Sequence, residues 1–424
     1  MRGPGCPHSL EAMTTASRED RPLDVVVYGA TGFVGRLVAE YLARDAGEAR
    51  IGLAGRSREK LEAVRADLGA AAADWPVLTA DAEDAEALAR LAAGTRVVAT
   101  TVGPYARHGM PLVRACVEAG THYADLSGEL LFVRDSARRF HDTARAAGTR
   151  IVHSCGFDSV PSDLAVLLTA ERALADGGEL RETTLAVRDI AGGISGGTID
   201  SMRVQVDAAR DPANRAVMAD PYALVPDRSA APATDQRGPR RAFRDAETGR
   251  SVAPFFMASF NTRVVHRSNA LSGWRYGRGL RYREVVDLGT GPRARRRAGA
   301  LTLATDAAAA VMALPPTRWV ADRVLPSPGD GPDEETRRSG HFRVEVRART
   351  TTGARYRTVV AAQGDPGYAA TSVMLGESAL ALALDEHRLP DGGGVLTPAT
   401  ALGDVLADRL IAAGFEITTE RLSP

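Results

Sequence analysis

The stretch Tyr28-Gly29-Ala30-Thr31-Gly32-Phe33-Val34-Gly35 places a glycine at every third position, directly after the apolar run Val25-Val26-Val27. The valines predict a buried strand, and the apolar residues after the glycines recur at helical spacing. Glycines at such a turn let the backbone approach a pyrophosphate, which the helix N-terminus then binds. A turn without a ligand is the alternative. We predict a dinucleotide site whose cofactor-binding residues include Gly29, Thr31, Gly32, Phe33, Val34 and Gly35.

The alternation of strand and helix continues along the first third of the chain. Short apolar runs alternate with helix-like stretches, a pattern typical of a parallel sheet covered by helices on both faces. We predict an α/β fold in which residues 23–154 form an NADP-binding Rossmann domain with a doubly wound parallel sheet. The runs lie at 51–54, 77–78, 97–99, 123–126 and 151–153, and the helix-like stretches include 83–93, 109–119 and 132–147.

Beyond residue 180 the pattern changes to a two-residue alternation of apolar and polar side chains. Phe342, Val344 and Val346 alternate with charged residues, and further strands are predicted at 184–190, 255–265 and 357–362. This alternation indicates antiparallel strands with one solvated face. It predicts a second domain of the α+β class.

The domain division follows from these changes of pattern. We predict a disordered tail over 1–22 and an α+β domain for substrate binding and dimerisation over 155–394. Residues 395–424 are predicted to form a C-terminal helix that packs back on the Rossmann domain. Because antiparallel sheets often form dimer surfaces, we expect a homo-oligomer.

Composition excludes several classes of protein. The chain has 53 basic and 53 acidic residues, so its formal net charge is +0 and no global field attracts nucleic acid. The three cysteines have neither metal-ligand spacing nor the density of a secreted framework, and the N-terminal residues lack the apolar run of a signal peptide. We therefore expect a cytoplasmic protein that binds neither nucleic acid nor a metal.

One basic cluster bears on localisation. Arg293, Arg295, Arg296 and Arg297 precede an alanine-rich stretch, 298–314, that falls short of a bilayer span. The arginines could bind anionic lipid at the inner face of the plasma membrane, giving a peripheral membrane contact. A solvated cluster is the favoured interpretation.

The end of the second predicted strand bears on the choice of cofactor. NAD-specific sites place an acidic residue there, but this strand runs into Arg56 and Ser57 with no carboxylate before Glu59. A guanidinium group would bind a 2′-phosphate, so we predict NADPH; a solvated start of the next helix is the alternative. Asp81 follows the third strand, where its carboxylate either reaches the adenine edge or forms a turn.

Residues after the fourth strand lie at the sheet edge where open α/β sheets bind ligands. We predict that they pass beside the nicotinamide ribose, with Gly103 allowing a close approach of the backbone. A simple turn is the alternative. The residues are Thr101, Val102, Gly103, Pro104 and Tyr105.

The catalytic candidates fall at the same edge. Tyr105 and Tyr123 could donate a proton, as could water, and Asp125 could orient the donor. His108, Cys155 and Asp158 also lie at or just after strand ends. Gly156, Phe157 and Asp158 either face the cofactor or begin a helix that carries Pro161 in its first turn.

The sequence lacks a serine-nucleophile elbow, a metal-ligand pair and a phosphate-loop lysine after the glycine turn. Hydrolysis and phosphoryl transfer therefore have no support. The chemistry must come largely from the cofactor, while the protein supplies position and electrostatics.

Several motifs occur together and in order in a way that resembles the saccharopine dehydrogenase-like oxidoreductases, particularly their actinobacterial trans-acting enoyl reductase branch. The motifs are the turn 29–35, Ala54-Gly55-Arg56, Val102-Gly103-Pro104-Tyr105, His122-Tyr123-Ala124-Asp125 with Gly128-Glu129, and the stretch 155–163. The resemblance implies an N-terminal Rossmann domain, a C-terminal α+β domain and NADPH as hydride source. In this branch it implies an α,β-unsaturated acyl substrate made by a polyketide synthase, in lipid or glycolipid biosynthesis.

Three functional hypotheses follow. The first is an NADPH-dependent enoyl reductase acting on an acyl-thioester or other small-molecule substrate. The second is a saccharopine dehydrogenase-type C–N oxidoreductase on an amino-acid imine, for which the second domain should bring arginines to the cleft. The third is a dinucleotide-binding sensor without turnover. The arginines available for the second are Arg203, Arg263, Arg275 and Arg347.

Overall fold

The first sheet carries the glycine turn. Its strands are β1 (Leu23–Tyr28), β2 (Ile51–Gly55), β3 (Val77–Thr79), β4 (Thr95–Thr100), β5 (His122–Asp125), β6 (Arg150–Val152) and β13 (Gly394–Leu396). The computed structural model describes residues 18–192, 196–234, 236, 238–313 and 331–423. Across these residues the first sheet has the order β13-β6-β5-β4-β1-β2-β3, and its strand pairs are parallel. The predicted doubly wound sheet is confirmed, with β13 as an additional strand beside β6.

Helices cover both faces of this sheet, which explains why its strands are apolar along their whole length. Val25, Val26 and Val27 are fully buried, as are Val97 and Val98 on β4. The helices in this part of the chain are α1 (Phe33–Asp45), α2 (Arg58–Asp67), α3 (Ala85–Ala93), α4 (Tyr105–Ala119), α5 (Leu130–Ala146) and α6 (Val160–Ala175).

The second sheet is mixed. Its strands are β7 (Leu180–Ala191), β8 (Phe243–Arg244), β9 (Ser251–Pro254), β10 (Arg281–Asp287), β11 (His341–Thr350), β12 (Arg355–Gln363) and β14 (Glu416–Leu422), in the order β14-β12-β11-β7-β10-β9-β8. Most pairs are antiparallel, as expected, but β7 and β10 are parallel. The remaining helices are α7 (Gly196–Ala208), α8 (Pro212–Ala219), α9 (Ala258–Leu271), α10 (Gly291–Ala313), α11 (Glu334–Ser339), α12 (Ala369–Leu384) and α13 (Pro398–Ala412).

The alternation on β11 holds with one exception. Phe342, Val344 and Val346 are buried, but Glu345 on the opposite face is only 6% exposed. Arg188 donates to both carboxylate oxygens of Glu345, at 3.1 and 2.8 Å. These hydrogen bonds and the nearby guanidinium charges hold the pKa of Glu345 below its usual value despite burial. The charged face of this sheet is therefore partly covered and internally neutralised.

The prediction of a strand at 255–265 is wrong. Strand β9 ends at Pro254, and helix α9 begins at Ala258. Phe260 and Val264, both buried, are four residues apart, which is a helical spacing that the sequence interpretation mistook for alternation.

Segments from the C-terminal part of the chain pack into the Rossmann part. Strand β13 completes the first sheet, and helix α12 packs against α1 and β4 of the Rossmann part. Tyr41 of α1 and Glu377 of α12 form a buried hydrogen bond. Residues after 412 return to the second sheet as β14, so the 395–424 segment is more than a helix. The division at residues 154 and 394 stays a prediction.

The end of the predicted tail is ordered. Residues 1–17 lie outside the described part of the chain, but Arg21 is only 5% exposed. Its guanidinium donates to the carbonyl of Thr95 at 2.6 Å and to the hydroxyl of Thr121 at 2.5 Å. The expected disorder therefore does not extend over residues 18–22, because this arginine anchors them below the sheet.

Helix α10 contains the basic cluster in its first turns. Its second half is largely exposed, with Leu303 71% accessible. No helix in the described part of the chain combines the length and apolar content that crossing a bilayer requires.

Candidate functional site

The glycine turn closes tightly between β1 and α1. Gly29 has a φ of +91°, a conformation that L side chains rarely adopt. A Cβ added to Gly35 would lie 2.1 Å from the carbonyl oxygen of Gly29, so only a glycine lets the helix pack this close to the turn. The amide of Gly32 donates to the same oxygen at 2.9 Å. The turn thus has the compact geometry that the sequence predicts.

The N-terminus of α1 is open for an anion. Gly32 is its N-cap and offers no side-chain hydrogen bond to the first-turn amides, while Thr31 and Gly32 are exposed. Phe33 and Val34 in the first turn are partly buried. Uncapped first-turn amides and the positive end of the helix dipole form a natural phosphate site. These residues fit the pyrophosphate of a dinucleotide.

Arg56 and Asp81 both lie near the end of β1. Burial and the charge of Asp81 raise the pKa of Tyr28 to about 12, and the charge of Arg56 opposes them, so both charged groups lie near the end of β1. Arg56 is exposed, as binding a 2′-phosphate requires. Ser57 caps α2, with its hydroxyl accepting from the Lys60 amide at 3.4 Å. The Asp81 carboxylate accepts from the Glu83 amide at 2.9 Å, so the turn interpretation describes at least one of its oxygens.

The segment after β4 lies directly against the glycine turn. The Thr101 amide donates to the Tyr28 carbonyl at 3.0 Å, and its hydroxyl donates to the Gly29 carbonyl at 3.3 Å. Val102 is so close that a Cβ on Gly29 would lie 2.8 Å from its side chain. Gly103 and Pro104 then lead into α4. The edge of the sheet therefore brings the two predicted cofactor segments together.

The Tyr105 side chain is buried and hydrogen bonded to backbone groups, as in a structural role. It is 5% exposed, its hydroxyl donates to the Thr100 carbonyl at 3.1 Å and accepts from the Leu126 amide at 3.2 Å. Burial, together with the charge of Asp125, raises its pKa well above the usual value for tyrosine. Both hydrogen-bonding capacities of the hydroxyl are used by backbone, so nothing in this geometry favours proton donation. Its catalytic and cofactor-binding roles stay predictions.

Tyr123 and Asp125 form a buried network below the site. The Tyr123 hydroxyl donates to Asp125 at 2.9 Å, and the same carboxylate lies 2.7 Å from Nδ1 of His153. Nε2 of His153 in turn lies 2.8 Å from the hydroxyl of Ser136. The second oxygen of Asp125 accepts from the amides of Ser127 and Ser154. Since Asp125 has no exposed surface, it orients the ends of β5 and β6, and its predicted catalytic role gains no support.

Glu129 is a site residue for which the sequence interpretation gave no role. Its carboxylate accepts from the amides of Tyr105 and Ala106 at 2.9 and 2.8 Å, and so caps the N-terminus of α4. It also accepts from the Ser201 hydroxyl on α7 at 2.9 Å. A single carboxylate thus joins the Rossmann edge to the second part of the chain. Its only sequence signal is its place in the Gly128-Glu129 motif.

Residues 156–158 divide between core and cleft. Phe157 is buried, its amide donates to the Thr371 hydroxyl at 3.0 Å, and its ring packs edge-on against Phe342 with centroids 4.9 Å apart. A Cβ on Gly156 would lie 2.8 Å from a methyl group of Leu126. Both are therefore held by packing contacts, and their predicted cofactor contacts stay predictions.

Asp158 differs from every other carboxylate at this edge. It is half-buried and makes no hydrogen bond or ion pair with any described residue. Its carboxyl faces Gly128 in the loop after β5, where a Cβ on that glycine would lie 3.7 Å away. Burial and the charge of Asp125 raise the pKa of Asp158 to about 7. This carboxyl can therefore exist in its protonated form near neutral pH.

The chain is similar to known proteins in both sequence and fold. Residues 25–152 match the model of the saccharopine dehydrogenase NADP binding domain. Trans-acting enoyl reductases of Mycobacterium bovis and Mycobacterium ulcerans are 46% and 45% identical, over 96% and 97% of this chain and 100% of each relative. A relative from Mycobacterium tuberculosis is 50% identical over 97% of this chain and 100% of its own length. Saccharopine dehydrogenase of Saccharomyces cerevisiae, 13% identical, has a TM-score of 0.51 over 94% of this chain and 99% of its own, and so shares the fold.

Proposed function

Because the chain belongs to the trans-acting enoyl reductase family, with a saccharopine dehydrogenase NADP-binding domain, we propose that it reduces the C=C bond of an α,β-unsaturated acyl thioester with NADPH. The observation that carries this proposal is the match to named enoyl reductases over their full length. The chain is an NAD(P)-dependent oxidoreductase, and the resemblance seen in its motifs is confirmed. The substrate is the part that needs an experiment.

The residues divide the work of the reaction. Amides of the α1 N-terminus bind the pyrophosphate, Arg56 binds the 2′-phosphate, and the segment 101–104 positions the nicotinamide end. When bound, NADPH supplies the hydride that the β-carbon of the acyl chain receives. The α-carbon then takes a proton, which must come from a group that is protonated near neutral pH.

We assign that proton to Asp158 rather than to the tyrosines. Its carboxyl is free of hydrogen bonds to the described residues, partly accessible and at the carboxyl edge of the sheet. The hydroxyls of Tyr105 and Tyr123, by contrast, donate to the Thr100 carbonyl and to Asp125. Burial and the charge of Asp125, which accepts from two amides, raise the pKa of Asp158 and so favour its protonated form.

The arginine condition of the imine hypothesis has little support. Arg263 donates to the carbonyls of Ser259 and Met218, and Arg347 pairs with Glu345 at 2.5 Å. Burial and the charge of Asp404 raise the pKa of Glu171 to about 7, and the nearby charge of Arg275 opposes them. Arg263 and Arg347 therefore already have partners. A carboxylate-bearing substrate would have to displace them.

The substrate test compares thioesters with imines. We expect NADPH oxidation, followed by absorbance, with a crotonyl-type thioester and none with a panel of amino-acid imines. Oxidation with the imines alone would contradict the proposal in favour of the C–N oxidoreductase. NADPH binding without oxidation by either panel would favour the sensor. A polyketide synthase as carrier of the substrate belongs to this proposal, while homo-oligomerisation and peripheral membrane contact stay predictions.

Cofactor choice is tested at Arg56. We expect Arg56→Ala to raise the Kd for NADPH by about 10- to 150-fold, since a charge-assisted hydrogen bond contributes about 1.5–3 kcal/mol. The Kd for NADH, which has no 2′-phosphate, should change little. Fluorescence titration of both cofactors measures the two values. Arg58→Ala, which removes an exposed arginine paired with Glu62, is the matched control. An unchanged NADPH affinity in the Arg56 variant would refute the assignment.

A further inference from the structure

A cavity of about 410 Å³ lies near β13, at the edge of the first sheet opposite β3. Its walls are α5 and the segment 217–228, and it lies beside β13, since His141 in its lining hydrogen bonds the backbone of Val395 at 3.2 Å. The glycine turn, by contrast, follows β1, which lies between β4 and β2 in the sheet. This cavity is therefore separate from the cofactor site.

Three guanidinium groups in the lining have no carboxylate partner among the residues that the structure describes. Arg134 and Arg138, on α5, make no ion pair or hydrogen bond with the described residues. Arg267 is 2% exposed, and its terminal nitrogens donate to two backbone carbonyls, those of Leu224 and Val395. Burial lowers the pKa of Arg267 to about 10, so it stays charged at neutral pH. We call these three residues and the cavity they line the arginine pocket.

The acidic residues of the lining do not cancel this charge. Asp220 pairs with Arg228 at 2.9 Å, and Arg228 also lies over the ring of Tyr222. Asp142 is exposed. Burial and the charge of Arg267 lower the pKa of His141, which favours its neutral form. The arginine pocket carries excess positive charge, part of it on a buried group that an anion would stabilise.

We propose that the arginine pocket binds the phosphate of the phosphopantetheine arm on which the acyl substrate is carried. Guanidinium groups bind phosphate oxygens in pairs of charge-assisted hydrogen bonds, and the pocket is large enough for a phosphate with its adjoining chain. A carrier protein and coenzyme A present the same phosphate on the same arm, so either would be recognised. The inference rests on the thioester substrate proposed above.

The position of the pocket along α5 fits such an arm. Near the start of this helix, the ring of Phe132 stacks on Tyr105 with centroids 5.7 Å apart, at the cofactor edge. Arg138 lies six residues further on, about 9 Å along the helix axis at 1.5 Å per residue. A phosphate held here leaves the long pantetheine chain to run along α5 toward Asp158.

The kinetic test uses one acyl group on different carriers. We expect the double variant Arg134→Gln/Arg138→Gln to raise the KM for crotonyl-coenzyme A, and for the crotonyl group on a phosphopantetheinylated carrier protein, by about 10-fold. The KM for the N-acetylcysteamine thioester, which lacks the phosphate, should not change, and kcat should not change with any substrate. Arg139→Gln, on the same helix but paired with Asp135, is the control.

The two carriers are distinguished by the same measurement. A rise in KM for the carrier-bound thioester alone identifies the carrier protein as the source of the phosphate, and a rise for the coenzyme A thioester alone identifies coenzyme A. Unchanged KM values for both would overturn the proposal, as would an equal rise for the N-acetylcysteamine thioester.

A binding measurement separates this proposal from the proposed reaction. Calorimetry should detect pantetheine 4′-phosphate binding to the wild-type protein, no binding of pantetheine, and no binding of either to the double variant. If no thioester is reduced but this pattern appears, the proposed reaction fails and the arginine pocket stands. Equal binding of pantetheine and its phosphate, or undiminished binding to the double variant, would overturn the pocket.

Discussion

Asp158→Asn is expected to lower kcat for the thioester by about 100- to 1000-fold, because general acid catalysis contributes about 10²- to 10⁴-fold and asparagine has no proton to transfer. The side chain keeps its shape, so NADPH affinity should change little. A stopped-flow measurement of NADPH oxidation, with a titration of NADPH binding, separates the two quantities. A weakened NADPH affinity with kcat unchanged would instead support the cofactor-binding role predicted for Asp158.

The pH profile gives an independent readout of the same residue. A proton donor must be protonated, and the pKa of Asp158 is raised to about 7, so kcat/KM of the wild-type protein should fall as the pH rises through about 7. The Asn variant should lack this limb. Tyr105→Phe, which removes two hydrogen bonds to backbone, should lower stability but retain the limb. A limb that persists in the Asn variant would place the titrating group elsewhere.

At high pH the Asp158→Asn substitution should affect stability in the opposite direction to activity. The pKa of Asp158 is raised from 3.8 to about 7 in the folded protein, so the folded state binds more protons between these values. The contribution of this group to stability is therefore fully present at a pH below 3.8 and is lost as the pH rises through about 7. At pH 8 the half-buried Asp158 carboxylate is ionised and costs the wild-type protein stability. The Asn variant, which has no such charge, should therefore be at least as stable as the wild-type protein at this pH.

Gly35→Ala is expected to raise the Kd for NADPH by at least about 100-fold, which corresponds to about 2.7 kcal/mol. A Cβ at this position would lie 2.1 Å from the Gly29 carbonyl oxygen, and because that atom is backbone, the turn itself must move. Overpacking of this kind costs about 1–3 kcal/mol in stability. Fluorescence titration, with urea unfolding on the same sample, measures both effects.

Gly299→Ala is the control for the glycine variant. Gly299 lies in α10, with open space around the position of its Cβ and no positive φ, so alanine should be tolerated there. NADPH affinity unchanged in a folded Gly35→Ala protein would mean that the pyrophosphate does not bind at this turn.

The sequence was most informative where a local pattern has one physical solution. Gly29, Gly32 and Gly35 between a buried strand and a helix leave few alternatives, and strands buried on both faces are apolar throughout. The 255–265 segment failed because Phe260 and Val264 fit two spacings over so short a stretch. Only the buried partners that α9 meets in the folded chain decide between them.

The site was harder to predict than the fold, because position at a strand end does not say where a side chain points. Tyr105 and Asp158 both follow strands of the same sheet. The Tyr105 hydroxyl is hydrogen bonded to two backbone groups, whereas the Asp158 carboxyl makes no hydrogen bond with the described residues. Glu129 and Arg267 escaped notice because each acts through contacts with residues distant in the chain. Such contacts leave no periodicity or spacing in the sequence.

The late arrival of β13 has a consequence for biosynthesis. While the ribosome is still translating the middle of the messenger RNA, one edge of β6 has no neighbouring strand. Exposed strand edges pair with other chains. The partner is supplied only when residues 394–396 emerge, more than half the chain later. Nascent chains that stall before this point should be aggregation-prone and dependent on chaperones, and a fragment ending at residue 154 should share that fate.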